Sequence, residues 1–92
     1  MVSNTKKLRF FSVCEKTQRG FQIIRFADGN DEVCELQQSS SIDDTEHGLN
    51  QPGSSFLWLG REGTDRIHLH REHVRELIQV FQGWLIDGKL DA

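Results

Sequence analysis

Ninety-two residues of 10.6 kDa hold one domain with a thin core, since a chain this short buries only about 60–65% of the surface it exposes when unfolded. The apolar fraction of 36% rises to about 45% once the eight glycines are added, the lower edge of soluble globular domains, so collagen-like, membrane-spanning and wholly disordered chains are excluded. Eleven Lys+Arg against fourteen Asp+Glu leave a net charge of −3, the wrong sign for a duplex-DNA binder, which needs a basic excess to displace counterions.

In chain order, the polar residues 1–7 read as a loose tail. Residues 8–14 follow as a strand carrying Leu8, Phe10, Phe11 and Val13. The polar stretch 16–20 ends in Gly20 and suits a hairpin loop, after which 21–26 form a second strand. Asp28-Gly29-Asn30-Asp31 is the strongest turn signal, because these residue types tolerate positive φ. A third strand spans 32–38. Residues 39–55, rich in serine and acidic side chains and holding the sole proline, Pro52, form a long loop of the kind that is functional or disordered. A fourth strand over 56–59 stops at Gly60, and a turn through Gly63 and Asp65 leads to a fifth over 66–69.

Val74, Leu77, Ile78, Phe81 and Leu85 fall at spacings of three and four, which predicts an amphipathic helix over 71–87. Glu72 suits the positive end of its dipole, and Gly88 supplies a left-handed stop. The expected fold class is α+β: an antiparallel sheet of about five strands with one C-terminal amphipathic helix packed on one face, in a single domain over 1–92. One helix covers only one face, yet Phe10 and Phe11, Ile23 and Ile24, and Trp58 and Leu59 put apolar groups on both. Self-association as a homodimer or higher oligomer accounts for the surplus.

Cys14 and Cys34 are too few for a disulfide framework and lack metal-type spacing, so both are expected as reduced core thiols. No apolar run approaches a membrane span, and no signal peptide precedes Leu8, which points to a soluble, cytosolic protein without membrane partners. His68, His70 and His73 form the densest cluster of possible ligands. Arg66 and Arg71 beside them oppose a cation, so the histidines read as surface or ligand-contacting groups, with no metal and no cofactor. No catalytic constellation is assembled: the glycines punctuate turns, and nothing brings Cys34 to a histidine.

A polar binding surface is the better reading. Gln37, Ser39 and Ser40 leave the third strand, Trp58 and Arg61 close the fourth, and Arg66 and His68 share one face of the fifth, with Arg71 at the helix start. Guanidiniums grip phosphate, amides and hydroxyls satisfy ribose and base edges, and an indole or imidazole stacks on a base. These are the residue types for a small, anionic, aromatic ligand such as a nucleotide.

Residues 19–28, then Cys34-Glu35-Leu36-Gln37-Gln38-Ser39-Ser40, Leu57-Trp58-Leu59-Gly60 and Arg66-Ile67-His68-Leu69-His70-Arg71-Glu72-His73-Val74 resemble, over roughly 19–90, a group of small phage and prophage proteins that close with an amphipathic helix. His70 departs from the Thr or Ser expected as helix cap, and the serine-rich insertion before Phe56 is longer. The group is similar to phage anti-defence sponges that sequester cyclic ADP-ribose signals of Thoeris-type immunity. That resemblance implies a non-enzymatic, oligomeric immune-evasion protein of the host bacterial cytosol whose partner is a cyclic nucleotide signal. The alternative is an inhibitor that binds a host defence protein directly, as anti-CRISPR proteins do.

Overall fold

The computed structural model describes residues 8–44 and 52–90. The expected tail over 1–7 and the middle of the expected long loop, 45–51, lie outside the described residues. Among the described residues five strands, β1 (Glu15–Lys16), β2 (Gln22–Ala27), β3 (Val33–Gln38), β4 (Phe56–Arg61) and β5 (Arg66–His70), precede a single helix, α1 (Arg71–Asp87). The strands form one antiparallel sheet in the order β1-β2-β3-β4-β5, which is the α+β class that the patterning predicts.

The connections follow from side-chain chemistry. Between β2 and β3 the Asp28 carboxylate accepts from the backbone N–H groups of Asn30 and Glu32, at 2.8 and 3.0 Å, and Asp31 takes a left-handed φ of 63°. Between β1 and β2, Phe21 N–H donates to Thr17 Oγ1 at 3.1 Å and Gly20 adopts φ 87°. Thr64 Oγ1 closes the β4–β5 turn by donating to Arg61 O at 2.9 Å.

The expected first strand over 8–14 is the main departure. Phe11 makes one bridge with Phe26, and regular pairing resumes only at Glu15 with Ile23. Three residues between those pairs face two on β2, so the edge carries an extra residue. Ser12 explains the interruption: its N–H donates to Arg25 O at 2.7 Å, while its Oγ accepts from Arg25 N at 3.0 Å, in the place a backbone carbonyl would take. Cys14 falls in this irregular stretch and is exposed, against the expectation of a core thiol; Cys34 is buried.

Register divides the sheet into two unlike faces. Ile23, Gln37, Trp58 and His68 form one cross-strand row; Ile24, Leu36, Leu59 and Ile67 form the next. Alternation extends these into an aromatic, polar face with Arg25, Glu35, Phe56, Arg66 and His70, and an aliphatic face with Phe26, Cys34, Leu57 and Leu69. Arg25 ties the polar face together, with Nε 3.8 Å from Glu35 and 3.4 Å from Glu62.

α1 begins where β5 ends, without an intervening residue. His70 caps it through Nδ1, which accepts from Glu72 N–H at 3.1 Å and His73 N–H at 3.3 Å, while His73 Nδ1 accepts from His70 N–H. A histidine thus does what Ser or Thr does in a capping box. Gly88, at φ 73°, ends the helix with its N–H on Trp84 O at 2.7 Å.

The helix covers less of the sheet than its stripe suggests. It packs chiefly on β5, and none of its residues is buried. Arg71, Val74, Leu77 and Val80 are half-buried along one i,i+3 row, whereas Ile78, Phe81, Trp84 and Leu85 stand exposed beside it. Among the described residues only Ile23 and Cys34 are buried hydrophobics. No helix of the described residues is long and apolar enough to cross a membrane.

Candidate functional site

The aromatic face gathers most of the residues marked for binding. At its centre, His68 lies against Trp58 with ring centroids 4.1 Å apart and against Phe56 at 4.6 Å. Strand alternation causes this, because Phe56, Trp58 and His68 project to one side of two paired strands. His68 Nε2 stands 2.9 Å from Ser39 Oγ, and that same oxygen accepts from Ser41 N–H at 3.1 Å. Ser39 is only 3% exposed, so its hydroxyl is spent inside the protein, positioning His68, rather than offered to a ligand.

Arg66 reaches sideways over this face. Its Nη1 donates to Gln37 Oε1 at 3.0 Å, and its guanidinium carbon lies 5.3 Å from the Trp58 ring centre. The remaining donors of the guanidinium fork can serve a bound group. A cleft of about 410 Å³ opens here, lined by Gln37, Ser40, Trp58 and Arg66 on the sheet side and by Thr17, Gln18, Arg19 and Phe21 from the β1–β2 hairpin. Arg19 lies 5.4 Å from the Phe21 ring centre, so each wall of the cleft pairs a guanidinium with an aromatic surface.

Two of the expected site residues lie elsewhere. Arg61 is three positions from Trp58, an odd offset that turns it to the aliphatic side, opposite Cys34 and away from the cleft. Arg71 belongs to a separate hollow of about 400 Å³ between the helix start and the aliphatic row of Gln22, Gln38, Leu57 and Leu69. There its Nη2 donates to the carbonyl oxygens of Pro52 and Ser54, the latter at 3.0 Å, tying the end of the β3–β4 connection to the helix. Gln37, Ser40, Trp58 and Arg66 line the cleft, with His68 and Ser39 supporting it from beside Trp58.

The hairpin wall lies beyond strand-by-strand patterning, because folding a turn over a sheet face is a tertiary event. Its one sequence signal is the juxtaposition Arg19-Gly20-Phe21, a cation and an aromatic ring set on a glycine turn. The Cys34 thiol plays no part in the cleft; burial first, then the Asp28 carboxylate, push it above its ordinary range, with Arg61 pulling the other way and Glu32 adding to the rise. Among the described residues no three His, Cys, Asp or Glu side chains gather as metal ligands. His70 and His73 instead stack on each other at 3.8 Å around the helix cap.

No family model, no curated protein and no solved structure matches this chain.

Proposed function

We propose that this chain is a non-enzymatic binding protein that sequesters a small phosphorylated signal with an aromatic base, a cyclic nucleotide of the cyclic ADP-ribose type or a cyclic oligonucleotide, in the cytosol of a bacterium under phage attack. The observation that carries the reading is the cleft itself, in which Arg66 and Arg19 stand beside Trp58 and Phe21. Two guanidiniums supply bidentate donors for phosphate, and two aromatic surfaces supply stacking for a base. A volume of about 410 Å³ falls within the range of small-ligand pockets. Among the described residues that line it there is no carboxylate, imidazole or thiol, which favours holding a ligand over reacting with it.

The test is a thermal-shift screen of the wild-type protein against cyclic ADP-ribose, ADP-ribose, AMP and cyclic dinucleotides. A cyclic nucleotide should raise the melting temperature and be recovered intact after heat release. The exposed apolar side of α1 favours a second reading, an immune-evasion protein that binds a host defence protein directly. On that reading no nucleotide shifts the melting curve, and a host protein co-purifies with the chain.

A further inference from the structure

The half of α1 beyond its contact with β5 is unlike a solvated helix. From Leu77 to Ile86 it carries no charged residue. Ile78, Phe81 and Leu85 form one exposed row, Phe81 being 56% and Leu85 75% exposed, and Trp84 flanks them. Phe81, Trp84, Leu85 and Leu90 line a shallow hollow almost without polar surface. Taken with Ile78, these side chains present roughly 540 Å² of apolar surface, from their exposures and side-chain areas of about 150 Å² for Ile and Leu and about 200–250 Å² for Phe and Trp. That lies at the upper end of the largest patch of an ordinary monomer, about 300–600 Å², and is about two-thirds of the roughly 800 Å² each partner contributes to a standard stable interface.

We infer that a second copy of this chain covers this row, the two α1 helices packing against each other about a two-fold axis to give a sheet–helix–helix–sheet dimer. A two-fold interface sets a patch against itself, so the patch must be free of like charges. This one is, in a chain whose net charge of −3 would otherwise oppose self-contact. The geometry is already divided for it. The row Val74–Leu77–Val80 leans on the chain's own β5, and the adjacent row, one helical step around, is left open. The ligand cleft lies on the opposite, aromatic face of the sheet, so the dimer leaves both clefts accessible. The inference therefore stands apart from the ligand reading.

Sedimentation equilibrium under reducing conditions, from about 1 to 100 µM, tests it; the reductant removes any dimer made through exposed Cys14. The wild-type protein should show twice the 10.6 kDa chain mass, and its melting temperature should rise with concentration. Phe81→Glu and Leu85→Glu should each raise the dimer dissociation constant at least a hundredfold, since both copies would bring a carboxylate into the contact. Gln79→Glu, on the far side of the helix, should leave the mass unchanged. A wild-type protein that is monomeric throughout overturns the inference, whatever the variants do. A dimer that survives both Phe81→Glu and Leu85→Glu overturns it as well, because its interface then lies elsewhere.

Discussion

Arg66 on β5 donates to Gln37 on β3 across the whole width of β4, at 3.0 Å. The crossing depends on Gly60, which pairs with Arg66 in the register. A Cβ at Gly60 would stand 2.9 Å from both Arg66 Cα and Asp65 O, closer than real contacts allow and against backbone that cannot turn aside. Gly60→Ala should therefore cost about 1–3 kcal/mol in denaturant unfolding, the usual range for forced overpacking. It should also weaken the nucleotide binding proposed for the cleft, because Arg66 is displaced with β5.

Arg66→Ala separates binding from stability. A charge-assisted contact to phosphate contributes about 1.5–3 kcal/mol, so nucleotide affinity should fall roughly ten- to a hundredfold in calorimetric titration. Stability should fall by only about 1 kcal/mol, the worth of one hydrogen bond and one cation–π contact. A variant that unfolds early with full affinity would make Arg66 a structural residue and remove the main support for the binding reading.

Ser39 and Ser40 are neighbours with opposite expectations. Ser39→Ala takes a buried hydroxyl from His68 and from Ser41 N–H, and should cost about 1–2 kcal/mol. Ser40→Ala, at an exposed position lining the cleft, should stay within about 0.5 kcal/mol of the wild type in stability and show its effect in ligand affinity. Urea titrations of the two variants side by side check the contrast.

The two thiols should differ in reactivity. Cys14 is exposed and should react readily with a disulfide reagent, whereas Cys34 should react only as the protein unfolds. The folded chain holds the Cys34 proton more tightly than the unfolded chain does. Its contribution to stability is thus complete below the ordinary thiol value of 9.0 and is lost as pH rises through the raised folded value. Unfolding midpoints followed from neutral to alkaline pH should fall in that window, and less steeply in Cys34→Ala.

Gly83 lies in mid-helix about 180° around from Val74, and a Cβ there would meet nothing within 4 Å. Gly83→Ala should raise stability by about 0.5–1 kcal/mol through helix propensity alone, measured by guanidinium unfolding. A loss instead would mean that something packs against the side of α1 opposite its apolar stripe.

Local patterns made much of this legible and tertiary ones did not. The helix bounds follow from the Val74–Leu85 periodicity and from Gly88, features that act within a turn or two of chain. Strands β2 to β5 follow from alternation and from turn residues such as Asp28, correct to within one or two positions. The first strand fails because Ser12 competes with the ladder through its own side chain. At the cleft, Gln37, Trp58 and Arg66 come together because pairing puts matched parities on one face, and Arg61 is lost by the same parity. Thr17, Gln18, Arg19 and Phe21 join only because a hairpin folds beside the sheet, and no spacing in the chain encodes that approach.

The junction at His70 and Arg71 bears on how this chain tolerates change in length. A strand that becomes a helix with no residue between them has no slack, so the phase of α1 is set by the phase of β5. One residue inserted there would turn every later side chain by about 100° and swing Val74 and Leu77 off β5. Four inserted residues would nearly restore the phase while pushing the helix outward by about one turn. The 39–55 connection imposes no such arithmetic, since it has only to return Pro52 and Ser54 to Arg71 and Phe56 to Ser39. Insertions and deletions in relatives of this chain should accumulate there, and the seam between β5 and α1 should keep its length.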